Sequence, residues 1–131
     1  MEDSLGLFSW MLVVAGFIGA GVAIVHGILM QRLMIKPILD QVDVTPATMR
    51  LLPILLQFST FCWFFGGVVL IATPIMPNSE SIITAAVFVG GFYLFGSIGN
   101  FIGTKGRHPG WVLLAISSAL IAISLFGISA G

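Results

Sequence analysis

The stretch from Leu5 to Met30 reads LGLFSWMLVVAGFIGAGVAIVHGILM, and it is apolar except for Ser9 and His26. At 1.5 Å of rise per residue, a helix of this length more than crosses a hydrocarbon core of about 30 Å. Three further apolar runs follow at residues 51–73, 82–104 and 111–129, each long enough for one membrane span. With residues 5–30 as the first span, the sequence predicts an all-α polytopic membrane protein, a single domain over residues 1–131 with four transmembrane helices.

The composition agrees with this class. The chain is 58% hydrophobic and only 8% charged, far outside the range of soluble proteins. Five Lys and Arg residues balance five Asp and Glu residues, so we expect no nucleic-acid partner and no solvating acidic tail. The one cysteine, Cys62, excludes a disulfide within the chain.

Local signals mark the ends of the helices. Thr45-Pro46 offers an N-cap followed by a first-turn proline, Asn78-Ser79-Glu80 offers an N-cap with an acidic first turn, and Pro109 precedes the fourth run. The step Ile35-Lys36-Pro37 is expected to end helix 1, because a residue before proline disfavours the helical conformation. Residues 37–45 would then form a turn.

The cations predict the orientation. All of them fall in the first and third connections: Arg32, Lys36, Arg50, Lys105 and Arg107. By the positive-inside rule these two loops are cytoplasmic and both termini are periplasmic, and the same cations could hold anionic lipid headgroups. Because the connections are short, we expect consecutive helices to pack antiparallel in an up-down bundle.

Small residues at helical spacing predict the packed faces, because they let two backbones approach closely in lipid. Helix 1 carries Ala15, Gly19, Ala23 and Gly27; helix 3 carries Gly96, Gly99 and Gly103; helix 4 carries Ala115, Ser118 and Ala122. Packing within the bundle is the first interpretation, and contact with another protein is the alternative.

Helix 2 carries aromatic residues near the middle of its span: Phe58, Phe61, Trp63, Phe64 and Phe65. We interpret them first as a lipid-facing or core-filling surface. The alternative is a wall for a flat apolar ligand such as a quinone or a pigment.

Each helix contributes one polar residue at a similar depth, roughly 6 to 9 Å inside the cytoplasmic boundary at 1.5 Å per residue. These residues are His26, Gln57, Asn100 and Ser117. Buried polar groups in hydrocarbon need partners, so a layer of interhelical hydrogen bonds is the first interpretation. The alternative is a binding pocket in which His26 exchanges a proton or binds a ligand.

His26 is also the residue on which a cofactor would depend. A pigment or haem ligated by this one imidazole stays open, whereas His108 lies in a loop and is not expected to supply a second axial ligand. His26, Met30 and Met34 recur on one helix face with donors that suit cuprous ion, but the pattern is too common for us to predict a metal site. We therefore predict no cofactor, and a pigment or haem bound through His26 is the alternative.

Several short motifs carry a resemblance. His26-Gly-Ile-Leu-Met-Gln31, Pro37-Ile-Leu, and Gln57-Phe-Ser-Thr60-Phe-Cys-Trp63 resemble a group of small four-helix bacterial membrane proteins without an assigned activity. The pattern of that group is His-x-x-Leu-Gly-Glu, then Pro-Leu, then Trp-His-x-x-Thr-x-x-Trp. His26, Thr60 and Trp63 match, whereas Gln31 replaces the glutamate and Gln57 replaces the second histidine. The resemblance implies a bacterial inner membrane.

Two functions are compatible with these features. Minimal loops, small-residue faces and spans without Asp, Glu, Lys or Arg favour a non-enzymatic accessory or scaffolding subunit of a larger membrane assembly, with lipids and other subunits as partners. The alternative is a carrier or binding protein for an apolar ligand, namely a quinone, pigment, haem or lipid, in the cytoplasmic third of the bundle.

Overall fold

The computed structural model describes residues 2–41, 45–76 and 78–130, and about 92% of these residues are helical. The described part of the chain contains no strand. Its elements are α1 (Glu2–Met30), a π-helical turn (Gln31–Ile35), α2 (Lys36–Gln41), α3 (Pro46–Ile71), a 3₁₀ turn (Thr73–Ile75), α4 (Ser79–Thr104) and α5 (Gly110–Ala130). Four segments are long and apolar enough to cross a membrane: Gly6–Gln41, Pro46–Ile71, Ser79–Thr104 and Gly110–Ile128. The predicted all-α membrane fold with four spanning helices is confirmed.

The end predicted for helix 1 is wrong. The helix does not stop at Ile35-Lys36-Pro37 but continues without a break from α1 through the π-helical turn to Gln41. In a regular α-helix the ring of Pro37 would meet the carbonyl group of Leu33. The wider turn directly before Pro37, in which the Lys36 N–H bonds to the Gln31 carbonyl oxygen, accommodates the proline instead of ending the helix.

The predicted helix starts agree with the structure. The Thr45 hydroxyl accepts a hydrogen bond from the Thr48 N–H at 3.3 Å, and the Asn78 side chain accepts one from the Ser81 N–H at 2.8 Å. These caps satisfy backbone donors that the first turns of α3 and α4 would otherwise leave free.

The four spanning segments form a ring. α1 packs along α3 on one side and along α5 on the other, α5 packs along α4, and α4 meets α3 over a shorter stretch. Gly16 of α1 faces Gly67 of α3 whereas Gly27 faces Thr60, so α1 and α3 run antiparallel. All the cations named above are exposed and lie at one end of this ring, which we call the basic end. Lys105 and Arg107 lie in the turn between α4 and α5, whereas Arg32, Lys36 and Arg50 lie in helical segments near that end and not in the first connection, where they were predicted.

Glycines set the closest helix approaches. A methyl group added to Gly67 would lie 2.6 Å from the carbonyl oxygen of Gly16, and one added to Gly16 would lie 2.6 Å from that of Gly67. Of the residues predicted on helix 1, Ala15 and Ala23 are fully buried, and Gly19 leaves the space that the ring of Tyr93 occupies. The small-residue face of α1 therefore packs within the bundle.

The packing predicted for α4 and α5 is partly wrong. Gly96 packs against the ring of Trp63, but Gly99 and Gly103 are exposed and have no other helix within 4 Å of an added methyl group. On α5, Ala122 is exposed, and the fully or almost fully buried face consists of Leu114, Ser117, Ile121 and Ser124. Small size permits close approach, but it does not determine which face has a partner.

Candidate functional site

A cleft separates α3 from α4 toward the basic end. The two helices touch at two points. The side chain of Val89 packs on Gly66, 3.0 Å from where a methyl group added to this glycine would lie, and the ring of Trp63 covers Gly96. Beyond Gly96 the helices diverge, and a cavity of about 550 Å³ opens between them. Gly99 and Gly103 of α4 line it without a covering partner, because no side chain reaches across from α3.

The cleft has two unlike walls. Phe58 and Trp63 contribute aromatic rings from α3, while Gly96, Gly99 and Gly103 expose the backbone of α4. Met30 and Met34 extend the apolar lining from the α1 side. Phe92 and Phe95 of α4 line the cleft as well, so only the glycine positions leave the α4 wall without side chains. A slot between aromatic rings and these open positions suits a flat molecule.

Trp63 closes the deep end of the cleft. It is only 5% exposed, whereas Phe58, Phe61, Phe64 and Phe65 of the same helix are exposed. Its ring lies 4.5 Å from the ring of His26, at an angle of 51° between the ring planes. The aromatic residues predicted on the second span, which is α3, therefore divide into exposed phenylalanines and one buried tryptophan beside His26.

Tyr93 holds this deep end in place. Its ring is fully buried, and its hydroxyl donates a hydrogen bond to the main-chain carbonyl oxygen of Trp63 at 3.0 Å. Sequence reasoning missed Tyr93, although one signal was available: a tyrosine in the middle of a span needs a partner for its hydroxyl.

His26 meets Ser59 across the α1–α3 interface. Its Nε2 lies 3.4 Å from the Ser59 hydroxyl oxygen, which also lies 3.4 Å from the Leu56 carbonyl oxygen. If Ser59 donates to Leu56, it accepts from an Nε2–H of His26; if it donates to His26, the ring proton sits on Nδ1. Ser59 was also missed, and its spacing of four residues from Trp63 was the signal that both share one helix face.

The predicted polar layer does not form one network. Gln57 donates through Nε2 to the carbonyl oxygen of Gly27 at 3.0 Å, and Asn100 donates through Nδ2 to the carbonyl oxygen of Gly96 at 2.8 Å. Ser117 is fully buried, and its hydroxyl has no hydrogen-bond partner within the described residues. The two side-chain amides therefore bond to main-chain carbonyl groups and not to each other. Asn100 bonds to its own helix, and Gln57 bonds across to Gly27 of α1, which has no side chain to block the carbonyl group.

His26 and Asn100 nevertheless lie together on the wall of the cleft, with Ser59 and Thr104 as further polar lining residues. Gln57 and Ser117 are not among the residues that line it. Two of the four predicted residues therefore belong to one site, and they can offer hydrogen-bond donors and acceptors to a molecule in the cleft.

The cleft offers little for metal chemistry. Across residues 2–41, 45–76 and 78–130, no group of three His, Cys, Asp or Glu side chains is placed to hold a metal ion. The sulfur-bearing side chains of Met30, Met34 and Cys62 do line the cleft beside His26. His26 is the one histidine among the described residues that line the cleft, so a pigment or haem bound there would depend on it for an axial ligand.

A second cavity lies on the other side of His26. It is a groove of about 460 Å³ along α1, bordered by the start of α5, and it shares His26, Trp63 and Asn100 with the cleft. His108 lines this groove as well. His26 and His108 therefore line the same groove, and the expectation that His108 does not supply a second axial ligand stays a prediction.

Comparison of the chain with protein-family models, with curated proteins and with solved structures finds no match in any of the three.

Proposed function

We propose that this protein binds a flat, lipid-soluble molecule in the cleft between α3 and α4. The molecule carries oxygen atoms that form hydrogen bonds, as a quinone does. The observation that carries the proposal is the cleft itself, an apolar slot with His26, Ser59 and Asn100 on its wall. Ligand pockets combine this predominantly apolar lining with a few polar groups that orient the ligand.

The two walls favour a planar ring. Stacking against Phe58, which is exposed at the cleft, would add about 0.5 to 1.5 kcal/mol beyond the burial of area. The opposite wall at Gly99 and Gly103 has no side chain to interfere with the second face of the ring.

The polar groups favour a ligand with carbonyl oxygens. Asn100 uses one amide hydrogen on the Gly96 carbonyl and keeps a second, and His26 keeps one ring nitrogen that is not turned to Ser59. Leaving such groups unpaired in an apolar site costs about 1 to 3 kcal/mol each, so a ligand that pairs with them gains affinity.

The opening of the cleft favours a ligand that arrives from the bilayer. Phe58 and Phe95, which line the cleft, are 63% and 79% exposed, and both lie on helices long and apolar enough to cross a membrane. A ring could occupy the slot while an apolar tail stays among the lipid chains.

Filling the slot is the test. Gly99→Leu places a side chain in the cleft without a clash in the protein, and Gly91→Leu is the matched control, because Gly91 is equally open but does not line the cleft. The probe is decylubiquinone in lipid nanodiscs, and binding is followed by quenching of Trp63 fluorescence in a background in which Trp10 and Trp111 are both changed to Phe. We expect saturable quenching in the parent and in the Gly91→Leu variant, and at least tenfold weaker binding after Gly99→Leu. Equal binding by both glycine variants would refute the proposal.

The accessory-subunit function stays a prediction, as does residence in a bacterial inner membrane with the basic end in the cytoplasm. The absence of Asp, Glu, Lys and Arg from the apolar runs at residues 5–30, 51–73, 82–104 and 111–129 supports the first, and the position of the cations at one end supports the second. Purification from the native membrane in mild detergent separates the two functions: a stoichiometric protein partner with no extractable quinone or pigment supports the subunit, and the reverse supports the binding protein.

A further inference from the structure

The groove along α1 differs in polarity between its ends. Phe17, Ile18, Gly21 and Val22 line one end, whereas His26, Asn100 and His108 line the end near the turn that joins α4 to α5. From Phe17 to Leu29 the groove follows α1 for about 18 Å at 1.5 Å per residue. One leaflet of a hydrocarbon core of ~30 Å is about 15 Å deep, so the groove is as long as one lipid chain.

The turn at the polar end is firmly built. Lys105 and Gly106 have positive φ angles of 52° and 73°, the Gly106 N–H bonds to the Phe101 carbonyl oxygen at 2.8 Å, and the Trp111 indole N–H bonds to the Gly106 carbonyl oxygen at 3.1 Å. The bond to Phe101 closes the end of α4 in the manner of a glycine-assisted helix cap. The turn therefore presents His108 in a defined position.

His108 is held in one tautomer. Its Nδ1 accepts a hydrogen bond from the Gly110 N–H at 3.1 Å, so the proton of the neutral ring sits on Nε2. This Nε2–H can donate to an oxygen but cannot bind a metal, which makes His108 a donor and not an axial ligand. Lys105 and Arg107, both exposed, add positive charge to the same turn.

We propose that this groove binds a long-chain fatty acid, with the hydrocarbon chain along α1 and the carboxylate at His108. The proposal does not depend on the ligand proposed for the cleft between α3 and α4. A single groove takes one chain, which favours a fatty acid over a two-chain phospholipid. The cations of the turn and the fixed donor of His108 complement a carboxylate in charge and in hydrogen bonding.

The experiment is native mass spectrometry of the purified full chain, titrated with hexadecanoate, with hexadecanol and with a phosphatidylglycerol that carries hexadecanoyl chains. We expect one hexadecanoate per chain, bound about tenfold more tightly than hexadecanol, since hydrogen bonds to charged groups are strong. Equal binding of hexadecanol would overturn the recognition of the carboxylate. Tighter binding of phosphatidylglycerol would overturn the fatty acid as occupant.

Two variants locate the site. Gly21→Leu should fill the groove, because nothing lies within 4 Å of an added methyl group there, and Gly91→Leu is again the control on an open surface outside the groove. His108→Phe keeps a ring but removes the donor. We expect at least tenfold weaker hexadecanoate binding from each of Gly21→Leu and His108→Phe, and wild-type binding from Gly91→Leu and from the cleft variant Gly99→Leu. Wild-type binding by Gly21→Leu would place the fatty acid elsewhere and overturn the proposal.

Discussion

The Tyr93 hydroxyl on α4 donates a hydrogen bond to the main-chain carbonyl oxygen of Trp63 on α3, 3.0 Å away. This bond lies at the level where the two helices still touch, directly above the cleft. It joins α3 and α4, which contact each other over a shorter stretch than any other neighbouring pair of spanning helices in the ring.

Removing that hydroxyl should loosen the bundle modestly. Tyr93→Phe keeps the buried ring and deletes the bond, so we expect the free energy of unfolding to fall by about 0.5 to 1.5 kcal/mol. Thermal unfolding in detergent, followed by circular dichroism, measures the change. Tyr93→Phe with unchanged stability would mean that the hydroxyl finds an equivalent partner.

The Gly16–Gly67 crossing should tolerate no side chain. Gly67→Ala puts a methyl group 2.6 Å from the Gly16 carbonyl oxygen, so α1 and α3 must separate, at a cost of about 1 to 3 kcal/mol. Gly91→Ala, with open space around it, should instead gain up to ~1 kcal/mol of helix propensity in the same unfolding assay. Equal behaviour of the two variants would show that the close approach contributes nothing.

His26 should matter more for binding than for stability. His26→Gln keeps a hydrogen-bonding group toward Ser59, and bonds between membrane helices average only ~0.6 kcal/mol, so stability should change little. Quinone binding should weaken at least tenfold, because the ring contact with Trp63 and one polar partner of the ligand are lost together. If stability falls while the folded fraction binds normally, His26 is a packing residue.

Reporter fusions test the orientation. A fusion in the turn that contains Lys105 and Arg107 should report the cytoplasm, and a fusion after residue 131 should report the opposite side, because all the cations lie at one end. A periplasmic signal from the turn would reverse the topology and place both cavities near the other membrane surface.

The cations of that turn should influence orientation in their own right. Changing Lys105 and Arg107 together to Gln removes two of the five positive charges and about 1 kcal/mol of headgroup attraction for each. We expect a mixed population of orientations in the same reporter assay, with the helical content unchanged by circular dichroism. A uniform orientation would assign the topology to Arg32, Lys36 and Arg50.

The spans and caps could be predicted because both depend on local sequence. Apolar runs of sufficient length specify membrane helices, and Thr45 and Asn78 cap their helices through neighbours three residues away. The continuation of α1 past Pro37 could not be predicted, because a π-helical turn is rare and proline usually ends or kinks a helix.

The candidate site was predicted in part. The depth of His26 and Asn100 could be counted from the helix ends, but their partners depend on helix rotation, which a single sequence does not specify. Asn100 therefore bonds to its own helix, and Gly99, which belongs to the predicted packing stripe, lines the cleft instead. His108 was assigned to a loop correctly, but only the fold of the turn brings it to the groove along α1.

Because the exposed rings of Phe58 and Phe95 both line the cleft, the ligand proposed for it would exchange with the bilayer. Occupancy then follows the mole fraction of the ligand among the lipids, by ordinary mass action in two dimensions. Diluting membranes into more buffer should leave the cleft as full as before, whereas fusing them with ligand-free vesicles should empty it. A weak intrinsic affinity would suffice for a ligand that the membrane itself concentrates.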